Sequence, residues 1–128
     1  MYINRQSYLI AIADDDPAIL ESISMLLELE GYQVESILNG KGILQKEVLP
    51  DLYILDVWMS GTDGRDLCKS LKANPLTRNI PVLLISASNE LKLSIENCGA
   101  DKFLAKPFEM NSLLEAVDSM IGINLEKH

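Results

Sequence analysis

Histidine and cysteine are scarce in this chain: one of the former, His128 at the last position, and two of the latter, Cys68 and Cys98. The cysteines follow no CxxC or CxxH spacing, so a paired structural or zinc-binding role has no support and two reduced, partly buried thiols are expected. No apolar run reaches the roughly 18 residues a membrane span requires. The opening MYINRQSYLIAIADDD meets acids too early for a secretory signal, which predicts a cytoplasmic protein. Positive charge is also short, 11 Lys and Arg against 19 Asp and Glu, for a net charge of −8. Such a surface repels phosphate backbones and anionic lipid, arguing against direct nucleic-acid or membrane binding and for cations and basic partners. With no internal repeat or linker, 128 residues that are 48% hydrophobic predict a single domain, residues 1–128 with a core of about 8–121.

What the chain does have is a regular alternation. YLIAIA (8–13) is a short apolar run stopped by DDDP, as expected of a strand buried on both faces. Asp16 can then cap a helix with Pro17 at its first position, and Ile19, Leu20, Ile23, Leu26 and Leu27 repeat with helical period up to Gly31. YQVESI (32–37) alternates like an edge strand, Asn39-Gly40 marks a turn, and KGILQKEV (41–48) predicts a brief second helix. LYILD (52–56) is the third strand and 64–74 its helix, with Leu67, Cys68 and Leu71 inward. IPVLLIS (80–86), a helix over 89–99, KFLA (102–105) and a helix over 109–122 complete the series.

Strands alternating with single helices on short loops require right-handed crossovers and a parallel sheet. The expected fold is α/β: a doubly wound, five-stranded parallel sheet of flavodoxin-like order 2-1-3-4-5 with helices on both faces. Ligands of such sheets sit beyond the carboxyl ends of the strands. Those ends carry Asp14 and Asp15 after strand one, Asp56 at strand three, Ser86 at strand four, and Lys106 with Pro107 after strand five.

Taken singly, Asp14 and Asp15 read as turn residues, and Asp16 as a helix cap. Three carboxylates brought together destabilise one another unless a cation enters. With only hard oxygen ligands at hand, Mg²⁺ or Mn²⁺ suits them better than zinc. A metal beside a carboxylate, a lysine and a hydroxyl is also a site for phosphoryl chemistry: Asp56 as nucleophile, Lys106 neutralising phosphoryl oxygens, Ser86 donating a hydrogen bond.

The ordered set DDD (14–16), LDVWMSGTDG (55–64), PVLLISA (81–87) and GADKFLAKPF (99–108) resembles the response-regulator receiver family of two-component signalling over about residues 8–121. The resemblance implies that Asp56 is the phosphoacceptor. It implies that Asp14 and Asp15 hold Mg²⁺ together with Asp56 and the Trp58 carbonyl, that Lys106 contacts the phosphoryl group, and that the Lys106-Pro107 bond is cis. It further implies that Ser86 moves toward the phosphoryl group while the aromatic at Phe103 turns inward behind it; a permanently buried Phe103 is the competing reading. The partners implied are a histidine kinase or phosphotransfer protein as donor, a downstream protein target or output domain, and a homodimer formed on phosphorylation.

Some positions depart from the family pattern. Ser60 stands where the family has proline, Phe103 where tyrosine is more frequent, and the second and fourth helices read about half a turn short. Trp58 either shields an acyl phosphate from water or lies on the loop surface. Two rival functions are weaker: a haloacid-dehalogenase-type phosphatase needs a second acid where Trp58 stands, and a flavin binder needs a phosphate-cradling loop after strand one. A third, an unphosphorylated adaptor, is disfavoured by the intact acid, hydroxyl and lysine set. The expected protein is therefore a phosphoacceptor rather than a multiple-turnover enzyme.

Overall fold

In the computed structural model, residues 5–38, 40–45, 47–59, 61–87 and 97–122 are described. Five parallel strands form one sheet: β1 (Leu9–Ala13), β2 (Gln33–Ile37), β3 (Leu52–Asp56), β6 (Val82–Ser86) and β7 (Lys102–Ala105). Between β3 and β6 in sequence lies a small antiparallel ribbon of β4 (Trp58–Met59) and β5 (Thr62–Asp63). The order β2-β1-β3-β6-β7 is the flavodoxin-like order, with β2 and β7 at the edges.

Alternation along the buried strands assigns each residue to a face. Ile10, Ile12, Ile54, Leu83 and Ile85 pack against Leu20, Ile23 and Leu27 of α1 (Pro17–Leu29) and Leu113, Ala116 and Val117 of α3 (Met110–Ile121). Ala11, Ala13, Tyr53, Leu55, Val82 and Leu84 face the other way, onto Leu67, Cys68 and Leu71 of α2 (Gly64–Ala73). Helices thus cover both faces, and the strands can be apolar throughout.

The helix ends follow their capping residues. Asp16 caps α1 by accepting from the Ala18 N–H at 2.9 Å, with Pro17 in the first turn. Asp63 caps α2, accepting from the Arg65 N–H at 2.8 Å, and α3 ends at Gly122 in the left-handed region.

One expected helix takes another form. Among the described residues of 41–48 there is no α-helix; a 3-10 helix spans Gly40–Gln45 instead. Glycine is a poor helix former, and both glycines here are crowded: a Cβ at Gly40 would stand 2.9 Å from the Leu67 and Thr62 side chains, and one at Gly42 would stand 2.7 Å from Ile37. The fourth strand begins at Val82 rather than Ile80. The turn residue Asn39, Ser60 and most of the helix expected over 89–99 lie outside the described residues.

Candidate functional site

Parallel register brings the strand tips level. Asp56, the last residue of β3, pairs with Ile85, and Ser86, the last of β6, pairs with Ala105 of β7. The Lys106 N–H then donates to the Ser86 carbonyl at 2.8 Å, which carries the pairing one residue further and delivers Lys106 to the sheet's carboxyl edge. On the other side of β3, Asp14 follows β1 directly, its N–H donating to the Ile37 carbonyl at 3.3 Å.

Carboxylate oxygens of Asp14, Asp15 and Asp56 lie within 4.8 Å of one another. Asp14 and Asp56 are buried, 3% and 7% exposed, while Asp15 is exposed. The Lys106 ammonium lies 3.2 Å from Asp56 Oδ1 and 3.5 Å from Asp14 Oδ2. Asp14 is oriented by its neighbour, since its Oδ1 accepts from the Asp16 N–H at 3.0 Å.

This cluster is short of positive charge. Burial, reinforced by the Asp14 carboxylate, pushes the Asp56 carboxyl up to about 6, even though Lys106 pulls it down. Three carboxylates against one ammonium leave two negative charges to be balanced. A hard divalent cation matches both that deficit and the all-oxygen donor set, so the residues fit Mg²⁺ or Mn²⁺.

Around the cluster, Ser86 is fully buried at the tip of β6. Phe103 is half-buried and packs on the α2 side of the core. The Lys106-Pro107 peptide bond is cis, as expected. Trp58 is 54% exposed, and the Arg65 guanidinium sits 5.1 Å from the centre of its ring. Arg65 is in turn clamped on the Asp63 carboxylate, Nη2 to Oδ2 at 2.6 Å and Nε to Oδ1 at 3.0 Å, which holds that carboxyl below its ordinary range.

The sequence reading did not single out Arg65, nor Gly64, where a Cβ would come 2.3 Å from the Asp56 carbonyl oxygen. A glycine at the first position of a helix, where it offers no gain in propensity, was the available signal for close backbone approach.

The chain matches the family model described as "Response regulator receiver domain" over residues 10–118. It is 37% identical over 116 residues to the DNA-binding dual master transcriptional regulator RpaA of Synechocystis sp., covering 88% of this chain and 48% of that protein. It is 34% identical to the phosphate regulon transcriptional regulatory protein PhoB of Rhizobium meliloti, covering 88% and 51%. The chain thus spans about half the length of these curated relatives. Among solved structures, the signal receiver domain of a signal transduction histidine kinase from Syntrophus aciditrophicus superimposes with a TM-score of 0.83 at 36% identity, covering 89% of each chain.

Proposed function

This chain belongs to the response regulator receiver domain family, and from that premise we propose that residues 1–128 form one receiver domain that takes a phosphoryl group onto Asp56. The observation that carries the reading is the placement of Asp56, buried at a strand tip, 3.2 Å from the Lys106 ammonium and within one carboxylate cluster with Asp14 and Asp15.

The donor is the phosphohistidine of a histidine kinase or phosphotransfer protein. An Asp56 carboxylate oxygen attacks phosphorus in line, the phosphorus–nitrogen bond breaks, and the imidazole nitrogen keeps the electron pair and takes up a proton. Lys106 orients the carboxylate beforehand and neutralises phosphoryl oxygens as the bond forms. Ser86 supplies a hydroxyl to the same group. Asp14, Asp15, Asp56 and the Trp58 carbonyl would hold Mg²⁺, which when bound draws negative charge from the phosphoryl oxygens.

An apolar hollow of about 610 Å³ adjoins Lys106, between α1 and the chain after β7, with Ile19, Ile23, Pro107, Phe108 and Met110 among its lining. It supports docking of the donor on this side of the pocket. Phosphorylation adds close to two negative charges. We read Ser86 and Phe103 as the residues that convey it to a surface contacted by an output domain, a protein target or a second copy. The net charge of −8 repels phosphate backbones and anionic lipid and so supports protein contacts as the output of this domain.

The test is the intact mass of the protein after incubation with acetyl phosphate, with and without Mg²⁺. Wild type is expected to gain one phosphoryl group only with the metal, and Asp56→Asn to gain none. No gain in folded wild type, from acetyl phosphate or from a phosphorylated kinase, would replace this reading with that of an unphosphorylated adaptor.

A further inference from the structure

Trp58 and Met59, the two residues of β4, stand on opposite faces of their ribbon. Met59 is 7% exposed and packs in the core, where a Cβ on Gly40 would lie 3.0 Å from its Cε. Trp58 is 54% exposed, on the solvent side. The peptide unit between them carries the Trp58 carbonyl. It is held from within by the core and from without by whatever holds the indole.

A closed circuit holds the indole. Trp58 pairs across the ribbon with Asp63. The Asp63 carboxylate accepts from Arg65 Nη2 at 2.6 Å and from Nε at 3.0 and 3.2 Å, and it caps α2 through the Arg65 N–H at 2.8 Å. The guanidinium then returns to Trp58, 5.1 Å from the ring centre. Its mounting is rigid: Leu67, Cys68 and Leu71 bury α2 against the sheet, and the Gly64 N–H donates to the carbonyl of Val57, the residue after Asp56, at 2.9 Å.

We propose that Arg65 is a positioning residue for the acidic pocket: fixed on Asp63, it pins the Trp58 ring and so keeps the Trp58 carbonyl ready to join Asp14, Asp15 and Asp56 around a divalent cation. The inference rests on the proposed reading of that carbonyl as a metal ligand. Arg65 acts through Trp58 rather than on the ion, since Asp63 neutralises its charge and a bare guanidinium would repel a cation.

Two-residue strands do not hold a turn by themselves. Gly61, at φ +72, supplies the left-handed residue that a type II turn needs in its third place, and such turns take proline in the second. In this chain the residue before Gly61 is Ser60, and serine restricts the backbone less than proline does. The guanidinium supplies from outside the turn a restraint that proline would supply from inside it. Without that restraint the carbonyl has to be ordered when the ion arrives, and the ordering cost weakens binding.

The protein is titrated with Mn²⁺, the free ion being read by its paramagnetic resonance, and the fluorescence anisotropy of Trp58, the one tryptophan, is measured in EDTA. Arg65→Ala is expected to raise the Mn²⁺ Kd about threefold, the size of an exposed cation–π contact, and to lower the anisotropy of the metal-free protein. Alanine is the better helix former, so this variant should fold. Arg65→Lys, which lacks the planar fork, should fall between wild type and Arg65→Ala. Adding Ser60→Pro to Arg65→Ala is expected to return the Kd toward the wild-type value while the anisotropy stays low, a rescue that a merely structural role of Arg65 would not show. An unchanged Kd or unchanged anisotropy in Arg65→Ala, or a raised Kd that Ser60→Pro leaves raised, would overturn the proposal. No Mn²⁺ uptake by wild type, or equal uptake by wild type and Asp14→Asn, would instead remove the metal site itself and the inference with it.

Discussion

A Cβ placed on Gly64 would lie 2.3 Å from the carbonyl oxygen of Asp56 and 3.1 Å from Val57 Cα, so α2 starts in backbone contact with the end of β3. The Gly64 N–H donates to the Val57 carbonyl at 2.9 Å and seals that contact. Backbone cannot swing aside as a side chain would. Gly64→Ala is therefore expected to cost about 2–4 kcal/mol in urea denaturation. It should also reduce phosphoryl gain from acetyl phosphate. An alanine variant as stable as wild type would show that the helix start can shift freely.

The Asp56 carboxyl, raised from 3.8 to about 6, ties stability to pH. In the folded chain it holds its proton more tightly than in the unfolded chain, so its contribution is complete below about pH 4 and is lost as pH rises through 6. In EDTA, wild type should lose on the order of 2 kcal/mol relative to Asp56→Asn between acidic and neutral pH. Saturating Mg²⁺ should flatten the difference. Denaturation midpoints across pH 4–8 measure this, and parallel wild-type and variant profiles in EDTA would contradict it.

Trp58 is the one tryptophan, and Arg65, fixed on Asp63, holds its ring. Under the proposed function, a ring fixed two residues after Asp56 shields the acyl phosphate from water. Trp58→Ala is expected to speed loss of the phosphoryl group about fivefold, equivalent to roughly 1 kcal/mol of barrier. Arg65→Ala should move the rate in the same direction. A decay rate for Trp58→Ala equal to that of wild type would assign the ring to the loop surface.

At the opposite end of the sheet, the Asp118 carboxylate accepts from Arg5 Nη2 at 3.0 Å and from the Tyr32 hydroxyl. Arg5 also lies 5.8 Å from the centre of the Tyr32 ring. Burial, and next the bond to Asp118, raise the Tyr32 phenol well above its ordinary range. Tyr32→Phe is expected to cost about 1 kcal/mol and Asp118→Ala about 2 kcal/mol. Neither should alter phosphorylation by acetyl phosphate. A changed phosphorylation yield with unchanged stability would couple this cluster to the distant pocket.

The sheet and its strand tips could be read in the sequence because their signals are local. Four apolar runs, each stopped by a polar residue, and one alternating edge strand state the strands and most of their ends. Asp16 with Pro17 announces α1 in the same way. That Asp14, Asp15, Asp56 and Lys106 converge follows once their strands are neighbours, an order that the alternation of elements leaves open and the sheet supplies. What escaped depends on contacts between distant segments. The 3-10 helix at Gly40–Gln45 reflects glycines pressed against Ile37, Thr62 and Leu67, and no periodicity records that pressure. The ribbon of β4 and β5 is too short for alternation to register. Cys68 and Cys98 have no motif spacing, and their sharing of one core depends on how α2 packs against the turn before β7.

Sheet order also sets a sequence of events during synthesis. Asp14, Asp56 and Lys106 share one pocket, yet Lys106 is made 92 residues after Asp14. A growing chain can pair β1, β2 and β3 and expose all three acids long before β7 exists. Until β7 joins the far edge, those acids lack their ammonium, and a ribosome-bound chain has no complete pocket to offer a phosphodonor. Under the proposed function, a chain without β7 holds the acceptor but not the lysine beside it, so the pocket is complete only once that strand has joined the sheet.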